Sequence, residues 1–194
     1  MEGGNMEKTL RSYIKKYKIM EPELCDSIVK DIEESADWEQ HWFYQPKTDK
    51  RVNLSGNKEL DTSFSVSPNY EDIVMKKIWD SLLLYVEELN FPWAAGWTGY
   101  SKVRWNRYVE TRVMAEHCDH IHSLFDGERK GVPIWSILGM LSDDHEGGEL
   151  VFFQDEVVEF NKGEIMVFPS NFLFPHRVEP VKSGVRHSFV SWAW

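Results

Sequence analysis

Cysteine is nearly missing from this chain: 194 residues hold two, Cys25 and Cys118, far apart in sequence. A disulfide framework is therefore not indicated, and a reducing compartment is expected. Basic residues are outnumbered, 22 Lys and Arg against 32 Asp and Glu, for a formal charge of −10. Such a chain has no overall electrostatic grip on nucleic-acid phosphates or anionic lipid, so neither is expected as a partner and a neutral or cationic one fits better. Long apolar runs are missing too. Nothing approaches the roughly eighteen consecutive apolar residues of a membrane span, and residues 1–11 are polar and charged where a secretory leader would be apolar. The expectation is a soluble cytoplasmic protein that uses no membrane.

Aromatic residues, by contrast, are abundant: nine Trp, eleven Phe and seven Tyr, within a hydrophobic content of 42%. That composition excludes disorder and can build a large aromatic core or pocket. The length suits one domain spanning 1–194, and no repeat, linker or charge block divides it. Over 21–43, Leu24, Ile28 and Ile32, with Val29 and Trp38 nearby, recur at helical spacing among acidic and basic residues, so an amphipathic helix is expected. The stretch 45–70 loses periodicity and fills with Lys, Asn, Ser, Asp and Gly, as a surface loop or weak hairpin would, and is a candidate lid. A second helix is expected over 73–89, ending before Phe91-Pro92. Two helices would thus precede everything else, with 1–98 serving as helical support and lid.

After Gly99 the hydrophobic period falls from near 3.6 to near 2. Strands are expected over 100–109, 113–119, 133–141, 149–153, 157–160, 164–168, 176–180 and 186–194, with turn signals between them, Gly147-Gly148 among these as a hairpin turn. Short strands at such spacing imply a sandwich or jelly roll over 99–194.

The densest chemistry is HCDHIH, positions 117–122. On a strand, His117 and Asp119 project from one face and Cys118 from the other. An H-x-D pair can aim an imidazole nitrogen and a carboxylate oxygen at one ion, although the tripeptide alone more often marks an exposed polar loop. His176, in FPHRVEP, is the best-placed third ligand. Two His and one carboxylate form the facial triad of non-haem Fe(II) oxygenases, with other positions left open. His120 and His122 are expected to be solvated neighbours, since a closed zinc site would recruit Cys pairs rather than the lone Cys118. Arg186 and Ser188, in GVRHSFVSW, again share a face. A planar cation beside a hydroxyl suits a buried carboxylate, whereas Arg186 alone would read as a surface salt bridge.

The order H-x-D, GGEL, KGEIMVFPS, PHRV, then G-x-R-x-S-F before a terminal Trp resembles the Fe(II)/2-oxoglutarate-dependent dioxygenase superfamily, and within it the prolyl 4-hydroxylase-like branch. The likeness covers about 100–194. It implies a mainly β fold, a double-stranded β-helix or jelly roll of two facing antiparallel sheets, braced by N-terminal α-helices. It implies His117, Asp119 and His176 as Fe(II) ligands, with Arg186, Ser188 and Tyr108 binding 2-oxoglutarate. The catalytic set would be His117, Asp119, His176 and Arg186. Fe(II), 2-oxoglutarate and O2 are the implied cofactor and cosubstrates, with ascorbate as an auxiliary reductant. The implied reaction hydroxylates a C–H bond, peptidyl proline first, and releases succinate and CO2.

The chain also departs from that family. Met114 stands where a tyrosine is usual, and Arg186 where collagen-type members more often carry Lys. Nucleic-acid demethylases of the superfamily place a second Arg where this chain has Trp192. A peptide or small-molecule substrate is therefore expected. Hydroxylation of a free amino acid or another small molecule, and a non-catalytic jelly-roll binding protein, remain the alternatives. Trp105, Asn106, Trp192 and Trp194 are expected in the core rather than against substrate, and 45–70 and 120–131 as the segments that close over the site.

Overall fold

Helix α1 (Pro22–Ser35) opens on a proline, whose fixed φ suits a first helical turn. Its buried Cys25, Ile28 and Ile32 recur at three and four positions and face one way. The expected helix ran to residue 43. It ends at Ser35 because Ala36 turns extended (φ −81°, ψ 137°) and the following chain pairs as a strand, β2 (Glu39–Gln40). Helix α2 (Glu71–Leu89) buries Val74, Ile78, Leu82 and Tyr85. It closes on Asn90, whose left-handed backbone (φ 52°) is a common helix stop. The computed structural model to which these elements belong describes residues 9–45, 50–56, 58–65, 69–90, 99–119 and 132–194. Phe91-Pro92, His120, His122 and the proposed closing segment 120–131 lie outside them.

The remaining strands are β1 (Lys15–Lys18), β3 (Phe43–Gln45), β4 (Lys50–Val52), β5 (Asp61–Ser63), β6 (Arg104–Tyr108), β7 (Met114–His117) and β8 (Trp135–Met140). They continue as β9 (His145–Gly147), β10 (Leu150–Phe152), β11 (Glu156–Val158), β12 (Glu164–Pro169), β13 (His176–Val178), β14 (Val181–Gly184) and β15 (Arg186–Ala193). A seven-stranded sheet in the order β1-β12-β8-β15-β6-β5-β2 lies across a core from a four-stranded sheet in the order β11-β10-β13-β7. Both sheets are antiparallel, and the expected jelly roll is what forms.

Every strand expected after Gly99 is present, with ends shifted by a few residues. Those not foreseen are short and polar: KKYK in β1 and DTS in β5 carry no apolar alternation and become strands through pairing with β12 and β6. The helices therefore do not precede everything. Of the two forms expected for 45–70, a loop or a weak hairpin, the hairpin forms between β3 and β4, while β5, not foreseen, extends the large sheet. Gly147-Gly148 is not a hairpin turn either: β9 pairs with β14 while β10 pairs with β11 and β13, so the two glycines bend one strand run from sheet to sheet. Neither helix is long and apolar enough to cross a membrane, and both cysteines are free.

Alternation along β15 serves two cores. Phe189 and Ala193 pack outward with Trp105, Ile137, Ile165 and Val167 against the buried faces of α1 and α2. Arg186, Ser188, Val190 and Trp192 have the opposite parity and face the small sheet, opposite Tyr108, Asn106, Arg104 and, on β8, Ser136. The Phe189 ring meets Trp105 edge-on at 6.1 Å and fills the space above Gly139, its partner on β8. A Cβ at Gly139 would lie 2.0 Å from that ring. Gly139→Ala is expected to cost about 1–3 kcal/mol in urea unfolding, and less in a Phe189→Leu background, because the two changes share one volume.

Candidate metal centre

The small sheet sets the centre by register. β13 and β7 pair with His176 opposite His117, which puts the two rings 4.4 Å apart. β7 ends at His117, and Asp119 turns in behind it: Oδ1 lies 3.1 Å from His117 Nε2 and 3.8 Å from His176 Nε2. Among the described residues this is the one trio of such side chains whose ligand atoms all lie within 4.8 Å of one another. Aromatics wall it in. Phe152 stacks on His176 at 5.2 Å, Phe168 meets the same ring edge-on at 5.1 Å, and Phe43 meets His117 edge-on at 5.8 Å.

Backbone carbonyls fix the imidazoles. His117 Nδ1 lies 2.8 Å from Ala115 O, and His176 Nδ1 lies 3.1 Å from Phe174 O. A carbonyl only accepts, so each Nδ1–H donates and each Nε2 presents a lone pair. Burial, reinforced by the neighbouring His117, pushes His176 down to about 4, so it is neutral at pH 7. Burial would raise Asp119, but its closeness to His176 and His117 outweighs that and holds its carboxyl below the usual carboxylate range. Two lone pairs thus converge on an anion, an arrangement that a cation relieves. The donor set of two nitrogens and one oxygen would suit Fe(II), with His117, Asp119 and His176 as the residues to hold it.

Arg186, 1% exposed, points into the same barrel. Its Nη1 donates to Ser188 Oγ at 3.0 Å, its guanidinium lies 4.8 Å over the Tyr108 ring, and its Nε has no partner. No carboxylate of the described residues pairs with it. Burial lowers its proton affinity, yet an arginine keeps its charge, and a buried charge without a counter-ion is costly. Burial also raises the Tyr108 phenol, keeping its proton available for donation. Gly148, at φ 69°, gives the arginine room: a Cβ there would lie 2.8 Å from Arg186 Cδ.

Beside His117 and Asp119 opens a cavity of about 1000 Å³. Trp192 and Trp194 line it, so their expected place in the core is corrected; Trp105 is in the core and Asn106 is buried, as expected. Trp192 faces the cavity because it shares the parity of Arg186 and Ser188 on β15, a signal legible in the sequence. Cys118 also lines the cavity rather than pointing away, since alternation lapses once β7 ends at His117. Sequence reasoning passed over Arg104 and His41, which line the same wall; Arg104 was marked only by its parity with Tyr108.

A jelly roll with two histidines, a carboxylate and a buried arginine inside it defines a class of metal-dependent oxygenases. Residues 103–194 match the model of the 2OG-Fe(II) oxygenase superfamily, to which this half of the chain is similar. A PKHD-type hydroxylase of Idiomarina loihiensis is 36% identical over 96 residues, 47% of this chain and 41% of that one. Another, of Crocosphaera subtropica, is 30% identical over 141 residues, 70% of this chain and 59% of that one. The chain thus spans between two fifths and three fifths of these relatives. The fold is shared with a prolyl hydroxylase of Trichoplax adhaerens (TM-score 0.68, 15% identity, covering 100% of this chain and 94% of that one). It is shared also with the viral collagen prolyl hydroxylase of Paramecium Bursaria Chlorella virus-1 (TM-score 0.63, 18% identity, covering 93% and 94%).

Co(II), a spectroscopic substitute for Fe(II), is expected to bind once per chain in a calorimetric titration. His176→Ala or Asp119→Ala should weaken it by more than about 100-fold, beyond what loss of a supporting residue causes.

Proposed function

We propose that the chain is an Fe(II)/2-oxoglutarate-dependent hydroxylase, acting first on a peptidyl proline. In this reading residues 1–194 form one domain, with 99–194 the jelly-roll core and 1–98 the helical support, and His117, Asp119 and His176 hold the metal. The observation that carries the reading is Arg186: a buried guanidinium, on the barrel side facing the triad, with no acid among the described residues to pair with. A diacid cosubstrate supplies that acid.

Each residue then has a task. The carbonyls of Ala115 and Phe174 keep both Nε2 lone pairs aimed at one point. Ser188 and the Tyr108 ring hold the Arg186 fork flat for a bidentate grip on the 2-oxoglutarate C5 carboxylate, and Tyr108 Oη donates a further hydrogen bond to it. Phe152 and Phe168 keep water from the triad's inner side. Fe(II), when bound, supplies the redox chemistry with O2. The balance is one C–H bond, 2-oxoglutarate and O2 in, and C–OH, succinate and CO2 out, with ascorbate as the reductant that sustains turnover.

Support for the substrate class comes from the relatives. The Trichoplax enzyme was solved with a hypoxia-inducible-factor peptide fragment, and the viral collagen prolyl hydroxylase with 2-oxoglutarate. Adding 2-oxoglutarate to anaerobic, Fe(II)-loaded protein is expected to give a visible charge-transfer band, absent in His117→Ala and weak in Arg186→Ala. A folded protein without that band would sink the oxygenase reading. Gly148→Val, which drives a side chain into Arg186, should weaken 2-oxoglutarate by about tenfold or more while Co(II) affinity holds. Succinate release with proline peptides against free amino acids separates the peptidyl reading from the small-molecule one.

A further inference from the structure

Arg104 opens β6 with the parity of Asn106 and Tyr108, so it too faces the barrel interior. Its Nε donates to Asn106 Oδ1 at 3.1 Å, and its guanidinium lies 5.2 Å over the Trp192 ring. Stacking uses the face of a guanidinium and leaves its edge free, so both Nη groups remain able to grip a planar anion. Among the described residues no carboxylate forms an ion pair with it. Elsewhere in this acidic chain arginines find acids: Arg107 meets Glu33 and Asp61, and Arg177 meets Glu179. Asp37 and Glu39 border the same cavity without reaching Arg104. The carboxylate whose charge Arg104 feels is Asp119, and a cation at the triad would cancel it.

The cation is also separate from Arg186. Arg104 pairs with Val190 and Arg186 with Tyr108, four strand positions apart, or about 13 Å. A five-carbon diacid spans roughly half of that. One such molecule, held at Arg186 and at the triad, leaves Arg104 without an anion.

We propose that Arg104, stacked on Trp192 and oriented by Asn106, binds a carboxylate of the molecule to be oxidised. The inference rests on the oxygenase reading above and narrows its substrate to a carboxylate bearer: a free or C-terminal amino acid through its α-carboxylate, or a peptide through an acidic side chain. The net charge of −10 pointed instead to a neutral or cationic partner. Charges on the outer surface are screened within about 8 Å at physiological salt, whereas a cation on a cavity wall acts at contact.

The test loads the protein with Zn(II), saturates it with 2-oxoglutarate, and titrates a panel of N-acetyl amino acids, each as free acid and as primary amide, by calorimetry. At least one acid is expected to bind about tenfold or more tightly than its amide. Arg104→Gln should bring that acid to the level of its amide, Arg104→Lys should keep part of the preference, and both should bind 2-oxoglutarate within about twofold of wild type. Matching melting temperatures establish that the variants are folded. Tight binding by the amides of N-acetyl aspartate or glutamate, lost in Arg104→Gln, would assign the carboxylate to an acidic side chain. The inference is overturned if no member prefers its α-carboxylate and no amide with an acidic side chain binds more tightly than the neutral amides, or if either preference survives Arg104→Gln. Failure of wild type to bind 2-oxoglutarate would instead overturn the oxygenase reading, and the panel run without cosubstrate still decides Arg104.

Discussion

The parity of β15 is the constraint on which the rest of the structure depends. Its neighbours β6 and β8 pair along both edges, so a slip of one residue would exchange the two faces throughout. Phe189 and Ala193 would then leave the helix layer and Arg186 would leave the barrel. The strand tolerates no such slip because each face is specified by chemistry of its own: apolar bulk toward α1 and α2, and guanidinium, hydroxyl and indole toward the small sheet. Gly139 reinforces the register, since only a residue without a side chain fits opposite the Phe189 ring.

The same alternation explains how an acidic chain keeps buried cations. Arg186 and Arg104 both stand on the inner face of the large sheet, each above an aromatic ring and each steadied by a neighbour two positions along its own strand, Ser188 and Asn106. Neither has an acid partner among the described residues. The acidic residues that dominate the composition serve other purposes, such as Glu33 and Asp61 around Arg107. Net charge describes the solvated exterior, and the interior obeys a separate local balance.

The metal trio comes from the other sheet and is assembled by a different device. His117 and His176 are cross-strand partners, while Asp119 reaches them after β7 has ended. The resulting convergence is held by the carbonyls of Ala115, in β7, and of Phe174, just before β13, and by a shell of phenylalanines, which puts the aromatic surplus of the composition to use. Gly148 joins the two sheets functionally. At the bend that carries the chain from β9 to β10, it leaves the space through which Arg186 enters the barrel.

Much of this was legible in the residues themselves. The change from a period near 3.6 to one near 2 marked the jelly roll, because burial on one face of a strand or helix leaves its period in the sequence. The face-sharing of Arg186 with Ser188 is likewise local, set by backbone geometry over three residues, whereas Asp119 meets His117 only after β7 has ended. Polar strands such as β1 and β5 were not legible, since their extended form comes from partners distant in sequence rather than from their own side chains. The end of α1 at Ser35 has the same origin. Nor could periodicity say that Trp192 borders a cavity and Trp105 a core, or that Gly147-Gly148 bends a strand instead of closing a hairpin. The sequence by itself determined which side chains share a face and which chemistry each face carries. Only the tertiary structure decided which faces meet, because strand order and register are fixed by the joint burial of residues far apart along the chain.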